Sequence, residues 1–240
     1  MYCDSILTEP YATCKERLYQ SQTIHYSMLS NVTLDLEKIN GLLKDLEGRR
    51  ESLIKGTREV VILCAKGIVS IHNDEIMEAE RMFSQAKDLL TNFKNIARTD
   101  LAKYLSVPEQ ELTEGLSLLS IVRCSKIPSM DDIEVDGPSY VLGLLDCIGE
   151  IKRIIYDKLR KNMVDDIENL FKIMDDIYGS IYPLAVFDNL VPGLRKKLDV
   201  SRHLIEDVRS MMTEEERRRV LMKRIDAFAE TSQPFSAKDQ

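Results

Sequence analysis

Two glutamates near the middle of the sequence share a helix face with apolar residues. The apolar periodicity of 106–124 predicts a helix. At 100° per residue, Glu111 and Glu114 lie on the same side of this helix as Leu118. Carboxylates rarely lie on an apolar face without a partner. The pair therefore predicts an ion pair with a neighbouring helix, a position at the wet edge of an interface, or ligands for a hard cation such as Mg²⁺.

Further carboxylates lie on two later predicted helices. In the helix predicted over 139–161, Asp146 and Glu150 belong to one polar stripe, which ion pairing between neighbouring turns would explain. Asp175 and Asp176 follow the apolar face of the next helix. Asp176 points away from that face, which by itself is typical of a solvated side chain. Periodicity alone therefore gives these acids a structural role.

No other short motif with a strong chemical signature is present. The three His do not form the ExxH pattern of di-iron bundles, and HExxH, P-loop and GxGxxG motifs are absent. The five Cys are odd in number and never spaced as CxxC, so neither a disulfide framework nor a zinc site is indicated. This cysteine usage predicts a reducing, cytoplasmic environment. Nothing positive supports Cys–His catalysis, and nothing in the sequence excludes it.

The composition predicts a soluble all-α protein. Hydrophobic residues make up 44% of the 240 residues, and only 10 Gly and 7 Pro are present, which favours long helices over many short strands. The longest apolar run, 60–65, is far shorter than the ~20 residues that cross a bilayer, so we expect no membrane association. A formal net charge of −7 means that RNA would bind only where basic residues are concentrated.

About seven helices in a single domain account for the hydrophobic pattern. The longest is predicted over 21–71, where three Gly favour a bend or a break. Capping boxes are predicted at 106–109 and 213–216. The predicted boundaries are 1–20 for an N-terminal arm, 21–230 for the helical domain and 231–240 for a disordered tail.

Three motifs in this order of helices resemble the translin/TRAX family. The segment 57–60, followed by Lys66 and His72, is similar to the family's first-helix signature of Arg-acid-aliphatic with a later basic residue and His. The segment 110–115 resembles the TRAX stretch Q-E-[aromatic]-V-E-A. The most specific match is 140–153, which resembles Y-L-x-G-x-x-D-x-x-G-E-[LI]-x-R. The resemblance covers roughly 20–212.

The resemblance implies a metal site. In TRAX, two Glu and one Asp bind Mg²⁺ and cleave single-stranded RNA, and motif for motif these fall on Glu111, Glu114 and Asp176. Asp175 is the adjacent alternative, because the Gly-aromatic pair that follows the family's Asp reads Ile177-Tyr178 here. The second-tier candidates, as outer partners of the metal or as structural ion pairs, are Asp146 and Glu150.

The function implied by the resemblance is that of an Mg²⁺-dependent endoribonuclease inside a hollow, closed homo-oligomer, which we expect to be an octamer. Arg58 and Lys66 would contact RNA phosphates, or they are exposed cations of a helix surface. The implied partners are single-stranded RNA and further copies of the chain, and the resemblance also admits a translin-like partner chain. Two alternatives stay open: a non-catalytic single-stranded RNA or DNA scaffold like translin, and a purely structural helical bundle.

Overall fold

The protein is all-helical throughout the part that the computed structural model describes, which is the backbone of residues 14–231 and the side chains of 29–229. This part contains seven α-helices, two short 3₁₀ segments and no β-strand, which confirms the predicted fold class. The predicted tail, apart from its first residue, and the first part of the predicted arm lie outside the described residues. The helices are α1 (Cys14–His72), α2 (Ile76–Ala97), α3 (Ser106–Val122), α4 (Met130–Ile133), α5 (Gly137–Arg160), α6 (Ile167–Ile181) and α7 (Leu194–Thr231).

The long first helix is confirmed, and within the described residues it runs from Cys14, inside the segment predicted to be an arm. Gly41, Gly48 and Gly56 all lie within α1, so the predicted break does not occur. At Gly56 the missing side chain makes room for a neighbour, because a Cβ there would overlap the ring of Phe93 on α2. None of the described helices combines the length and the apolar character that crossing a bilayer requires.

The chain divides into two units, Met1–Ser52 and Leu53–Gln240. In the first unit, most of the described side chains of α1 are exposed, including the aliphatic residues Leu36, Leu42 and Leu43. Ion pairs between neighbouring turns, such as Arg49 with Asp45 at 2.9 Å, lie on the same stretch. This unit therefore presents both apolar and charged side chains to its surroundings.

The core of the second unit forms around the pair of helices α3 and α5. These two helices make the most extensive contact in the unit, with α2 also packed on α3 and with α6 and α7 packed on α5. Leu112 and Leu118 of α3 and Ile148 and Ile151 of α5 are completely buried. Burying side chains of this size contributes about 1.5–3 kcal/mol each, so the α3–α5 contact contributes substantially to stability.

Neither predicted capping box is formed. The Glu109 carboxylate is buried and lies 3.8 Å from the ammonium of Lys94 on α2, and no side chain caps the start of α3. The segment 213–216 lies inside α7, which continues to Thr231. Both motifs are local patterns: at the first, the Glu109 side chain contacts Lys94 rather than the start of its own helix, and at the second, the helix continues, so there is no helix start to cap. A capping box does occur at the start of α4.

Helices α3 and α5 approach each other most closely at Gly143. A Cβ at this position would lie 2.5 Å from the carbonyl oxygen of Gln110 and 2.7 Å from the Cβ of Thr113. Both distances are too short for any residue other than glycine. The absence of a side chain at Gly143 therefore sets the spacing of the two helices, and it does so within one turn of Glu111, Glu114 and Asp146.

Candidate functional site

Four carboxylates from α3 and α5 interact electrostatically. We call these residues, Glu111, Glu114, Asp146 and Glu150, the acidic cluster. The first two lie on α3 and the last two on α5. Burial, followed by the negative charges of Asp146, Glu111 and Glu150, raises the pKa of Glu114 to about 8. Burial and the charges of Asp146 and Glu150 also raise the pKa of Glu111. The α3–α5 packing therefore concentrates negative charge in a partly desolvated place.

Glu111 and Glu114 form no hydrogen bond and no ion pair with any other residue that the structure describes, although both are half-buried. The ion pairs that would explain their position structurally are therefore not formed within this part of the chain. Lys197 on α7 supplies a compensating positive charge, which opposes the rise in the pKa of both carboxyls. Half-buried carboxylates that repel one another make this an electrostatically unfavourable site unless a further positive charge binds there.

The other two members of the acidic cluster are held by specific partners. The Lys197 ammonium forms an ion pair with Asp146. The Nε2–H of His72 donates to Glu150 at 2.6 Å, and the guanidinium of Arg153 lies 3.7 Å from the same carboxylate. The hydrogen bond with His72 is the main reason that the pKa of Glu150 is lowered, against the effect of burial. The two carboxylates of α5 are therefore held in place by partners, whereas the two of α3 are not fixed by such contacts.

Two buried thiols flank the acidic cluster. Burial raises the pKa of Cys64 on α1, and the charges of Glu111 and Glu114 raise it further. Burial and the charge of Glu114 likewise raise the pKa of Cys147 on α5. A thiol must lose its proton to act as a nucleophile or as a metal ligand. These environments keep both thiols protonated, which argues against Cys–His catalysis at this site.

Asp175 and Asp176 are exposed side chains of α6. The Asp175 carboxylate lies 3.4 Å from the guanidinium of Arg209 on α7. The charges that act on Glu111 and Glu114 come from α3, α5 and α7, and Asp176 is not among them. The structure therefore brings the two predicted glutamates together with two of the second-tier candidates, Asp146 and Glu150. The assignment of the third acid to Asp176 stays a prediction from the resemblance.

Helical periodicity and motif spacing assign no site role to Lys197, and His72 enters only as part of the first-helix motif. Both residues lie far along the chain from the carboxylates that they contact, so no helical spacing relates them. For Asp146 and Glu150, by contrast, the sequence did contain a signal, which is the D-x-x-G-E part of the most specific motif. Its i,i+4 spacing places Asp146 and Glu150 on one side of α5.

The donor atoms of the acidic cluster suit a hard cation, because Mg²⁺ prefers carboxylate oxygens. Within the described residues, however, no three Asp, Glu, His or Cys side chains are already arranged as a metal-binding group. Metal binding would require side chains to rotate towards a common point. Glu111 and Glu114 have no hydrogen bond to other described residues that would oppose this rotation.

Arg58 and Lys66, the predicted contacts to RNA phosphate, are exposed on α1. Neither forms an ion pair with another side chain in the described part of the chain. The exposed aliphatic residues Ile62 and Val69 lie on the same side of the helix, with exposed fractions of 53% and 50%. A surface of alternating basic and aliphatic side chains agrees with either predicted role, contact with RNA or simple exposure.

Known proteins resemble this chain in sequence and in structure. It is 31% identical over 191 residues to the uncharacterized protein MJ0175 of Methanocaldococcus jannaschii, with 78% of this chain and 86% of that protein covered. It is also 31% identical to AfC3PO, whose crystal structure it matches with a TM-score of 0.72 over 78% of this chain and 99% of that one. The chain belongs to the translin/C3PO-like family.

Two further translin/C3PO-like structures support the fold. A structure of AfC3PO in complex with duplex RNA matches with a TM-score of 0.71 and 29% identity, over 78% of this chain and 98% of that one. Apo-NeC3PO matches with a TM-score of 0.66 and 20% identity, over 73% and 94%. No protein-family model matches the chain. The family and the fold implied by the motifs are confirmed, and the TRAX-like subtype stays a prediction.

Proposed function

We propose that this translin/C3PO-like chain binds RNA and cleaves single-stranded RNA at the acidic cluster with the help of Mg²⁺. The proposal rests on the pair Glu111 and Glu114. Both are half-buried, the negative charges of neighbouring carboxylates raise the pKa of each, and neither forms an ion pair with the described residues. A divalent cation would offset this repulsion. The presence of duplex RNA in a structure of AfC3PO supports RNA as the ligand.

Glu111, Glu114 and Asp146 would hold the ion. An Mg²⁺ ion held by these residues would polarise a phosphate oxygen and lower the pKa of a coordinated water. The His72 hydrogen bond keeps the Glu150 carboxylate in one orientation beside these ligands. The packing of α3 against α5 keeps the cluster partly buried, which would strengthen its electrostatic attraction for a bound cation. Arg58 and Lys66 would contact the phosphate backbone outside the cluster without reading its sequence.

A nuclease assay with a matched pair of variants tests this proposal. The parent should cleave labelled single-stranded RNA in Mg²⁺ and should not cleave it in EDTA, and a duplex of the same sequence serves as the second substrate. Asp146→Asn should abolish cleavage because it removes a proposed ligand, whereas Asp176→Asn should retain it. The opposite pattern would make Asp176 the third acid. Absence of Mg²⁺-dependent cleavage in the parent would contradict the enzymatic proposal altogether.

A non-catalytic RNA-binding scaffold is the second candidate function. It is favoured by the arrangement of the acidic cluster, whose described side chains do not already form a metal-binding group. A gel shift in EDTA distinguishes this scaffold from a purely structural bundle, because the scaffold would still bind RNA. The same assay in rising salt reports on phosphate contacts, which weaken as salt increases.

We also propose that the chain forms a closed homo-oligomer, as an octamer. Exposed apolar side chains are concentrated on α1 in the first unit and near the end of α7, where Leu221 is 57% and Phe228 is 72% exposed. Apolar surface of this extent is usually covered by another chain. Light scattering should give about eight times the 27.6 kDa of one chain. A stable monomer at micromolar concentration would exclude a closed assembly, and a mass below eight chains would correct the subunit count.

A further inference from the structure

Lys197 reaches from α7 into the acidic cluster, and its ammonium is fully occupied by acceptors on two other helices. It forms an ion pair with Asp146. It also donates to Gln110 Oε1 at 3.0 Å and to the carbonyl oxygen of Leu142 at 3.4 Å. The side chain is only 29% exposed. An ammonium has three N–H donors, so these three contacts use all of them.

The position of Lys197 conflicts with the binding of a cation to the same carboxylates. Its charge already acts on Glu111 and Glu114, and its partner Asp146 is a proposed ligand of the ion. A divalent cation on Asp146 would place two like charges a few ångströms apart in a partly buried site. The repulsion between the ammonium and the ion would weaken binding of the ion to Asp146. Lys197 and the metal ion therefore compete for Asp146.

We propose that Lys197 is a phosphate-binding residue, which releases Asp146 when the cluster takes up a divalent cation and then binds a phosphate oxygen of the RNA. The inference rests on the proposed function. The contacts to Gln110 and to the Leu142 carbonyl do not depend on Asp146, so they hold the ammonium beside the cluster after the exchange. One N–H is then left without an acceptor, and a compact ammonium is well suited to a phosphate oxygen. The phosphate replaces the carboxylate as the neutralising anion.

Lys197→Met removes the charge and keeps the length of the side chain, and it should have two effects of opposite sign. Apparent Mg²⁺ affinity, measured by thermal melting across a Mg²⁺ titration without RNA, should become roughly tenfold tighter because the competing charge is gone. RNA affinity in Ca²⁺, which takes the same oxygen ligands, should become weaker. RNA affinity in EDTA should stay unchanged, because Lys197 is then still bound to Asp146 in the parent.

Lys196→Met is the matched control, since Lys196 is exposed on the same helix and forms no ion pair with the described residues. Lys196→Met should leave Mg²⁺ affinity unchanged. Any change that it causes in RNA affinity should be the same in Ca²⁺ and in EDTA. If Lys197→Met does not fold, Lys197→Gln replaces it, because its amide can still donate to Asp146. The same pair of opposite effects is expected from that variant.

Three outcomes would overturn the inference. Weaker Mg²⁺ binding together with weaker RNA binding in all conditions would mean that Lys197 only stabilises the packing of α7 against α3 and α5. Behaviour identical to that of the parent would mean that it neither competes with the ion nor binds phosphate. A parent that gains no thermal stability from Mg²⁺ would overturn this inference and the proposed function together, whereas the first two outcomes leave the proposed function intact.

Discussion

Glu114→Gln is expected to lower RNA cleavage by about two to three orders of magnitude while RNA binding in EDTA persists. A metal ion contributes several kcal/mol of transition-state stabilisation, and each ~1.4 kcal/mol corresponds to a factor of ten in rate. The amide keeps the shape of the side chain but is a poorer ligand for a hard cation than a carboxylate. Initial cleavage rates and a gel shift in EDTA measure the two quantities separately.

The same substitution should change stability in a way that an ion pair could not explain. In EDTA, Glu114→Gln should be at least as stable as the parent, because it removes a half-buried carboxyl that neighbouring charges disfavour. It should also lose most of the stabilisation that Mg²⁺ gives the parent by binding only the folded state. A destabilisation of about 3–5 kcal/mol that is the same with and without Mg²⁺ would instead indicate that Glu114 is paired with a buried cationic side chain.

The raised pKa of Glu114 also predicts the direction in which stability in EDTA changes with pH. The pKa of Glu114 is about 8 in the folded state, above its ordinary value of 4.5, so the folded chain retains this proton over a range in which the unfolded chain has lost it. Stability in EDTA should therefore fall as pH rises from about 4.5 to 8, by at most about 1.4 kcal/mol per pH unit from this group. Glu114→Gln should flatten the profile. Glu168→Gln, at an exposed position of α6, should leave it unchanged.

Gly143→Ala should destabilise the second unit by about 2–3 kcal/mol, at the upper end of the cost of overpacking. The new Cβ would lie 2.5 Å from the backbone carbonyl of Gln110, which cannot rotate away as a flexible side chain can. The helices α3 and α5 would have to separate, and the acidic cluster would separate with them. Urea denaturation should show the loss of stability, and thermal melts should show a weaker response to Mg²⁺.

Gly149→Ala is the control for this prediction, because it makes the same substitution further along α5. A Cβ there would lie 3.8 Å from Cδ1 of Leu204, which is ordinary van der Waals contact. Alanine also favours the helix over glycine by up to about 1 kcal/mol. Gly149→Ala should thus be neutral or stabilising. Equal stability of the two variants would show that α3 and α5 do not pack as closely as described.

The sequence by itself determined those features that depend on residues close together in the chain. Helical periodicity reports which side of a segment is buried, so it was sufficient for the all-α fold, the long α1 and the unusual position of Glu111 and Glu114. The D-x-x-G-E spacing was sufficient to place Asp146 and Glu150 on one side of α5. The capping boxes were local predictions too, but they failed because a buried contact or a continuing helix competed with them.

Only the tertiary structure decided which elements face one another at the site. Periodicity shows that a helix side is buried but not what it is buried against, so Asp146 and Asp176 could not be ranked by their distance from Glu114. The contacts of Lys197 with Gln110 and of His72 with Glu150 join residues 87 and 78 positions apart. Such contacts depend on how α1, α3, α5 and α7 pack together. The glycine at 143 shows the reason, since its effect on spacing arises only when a second helix lies against it.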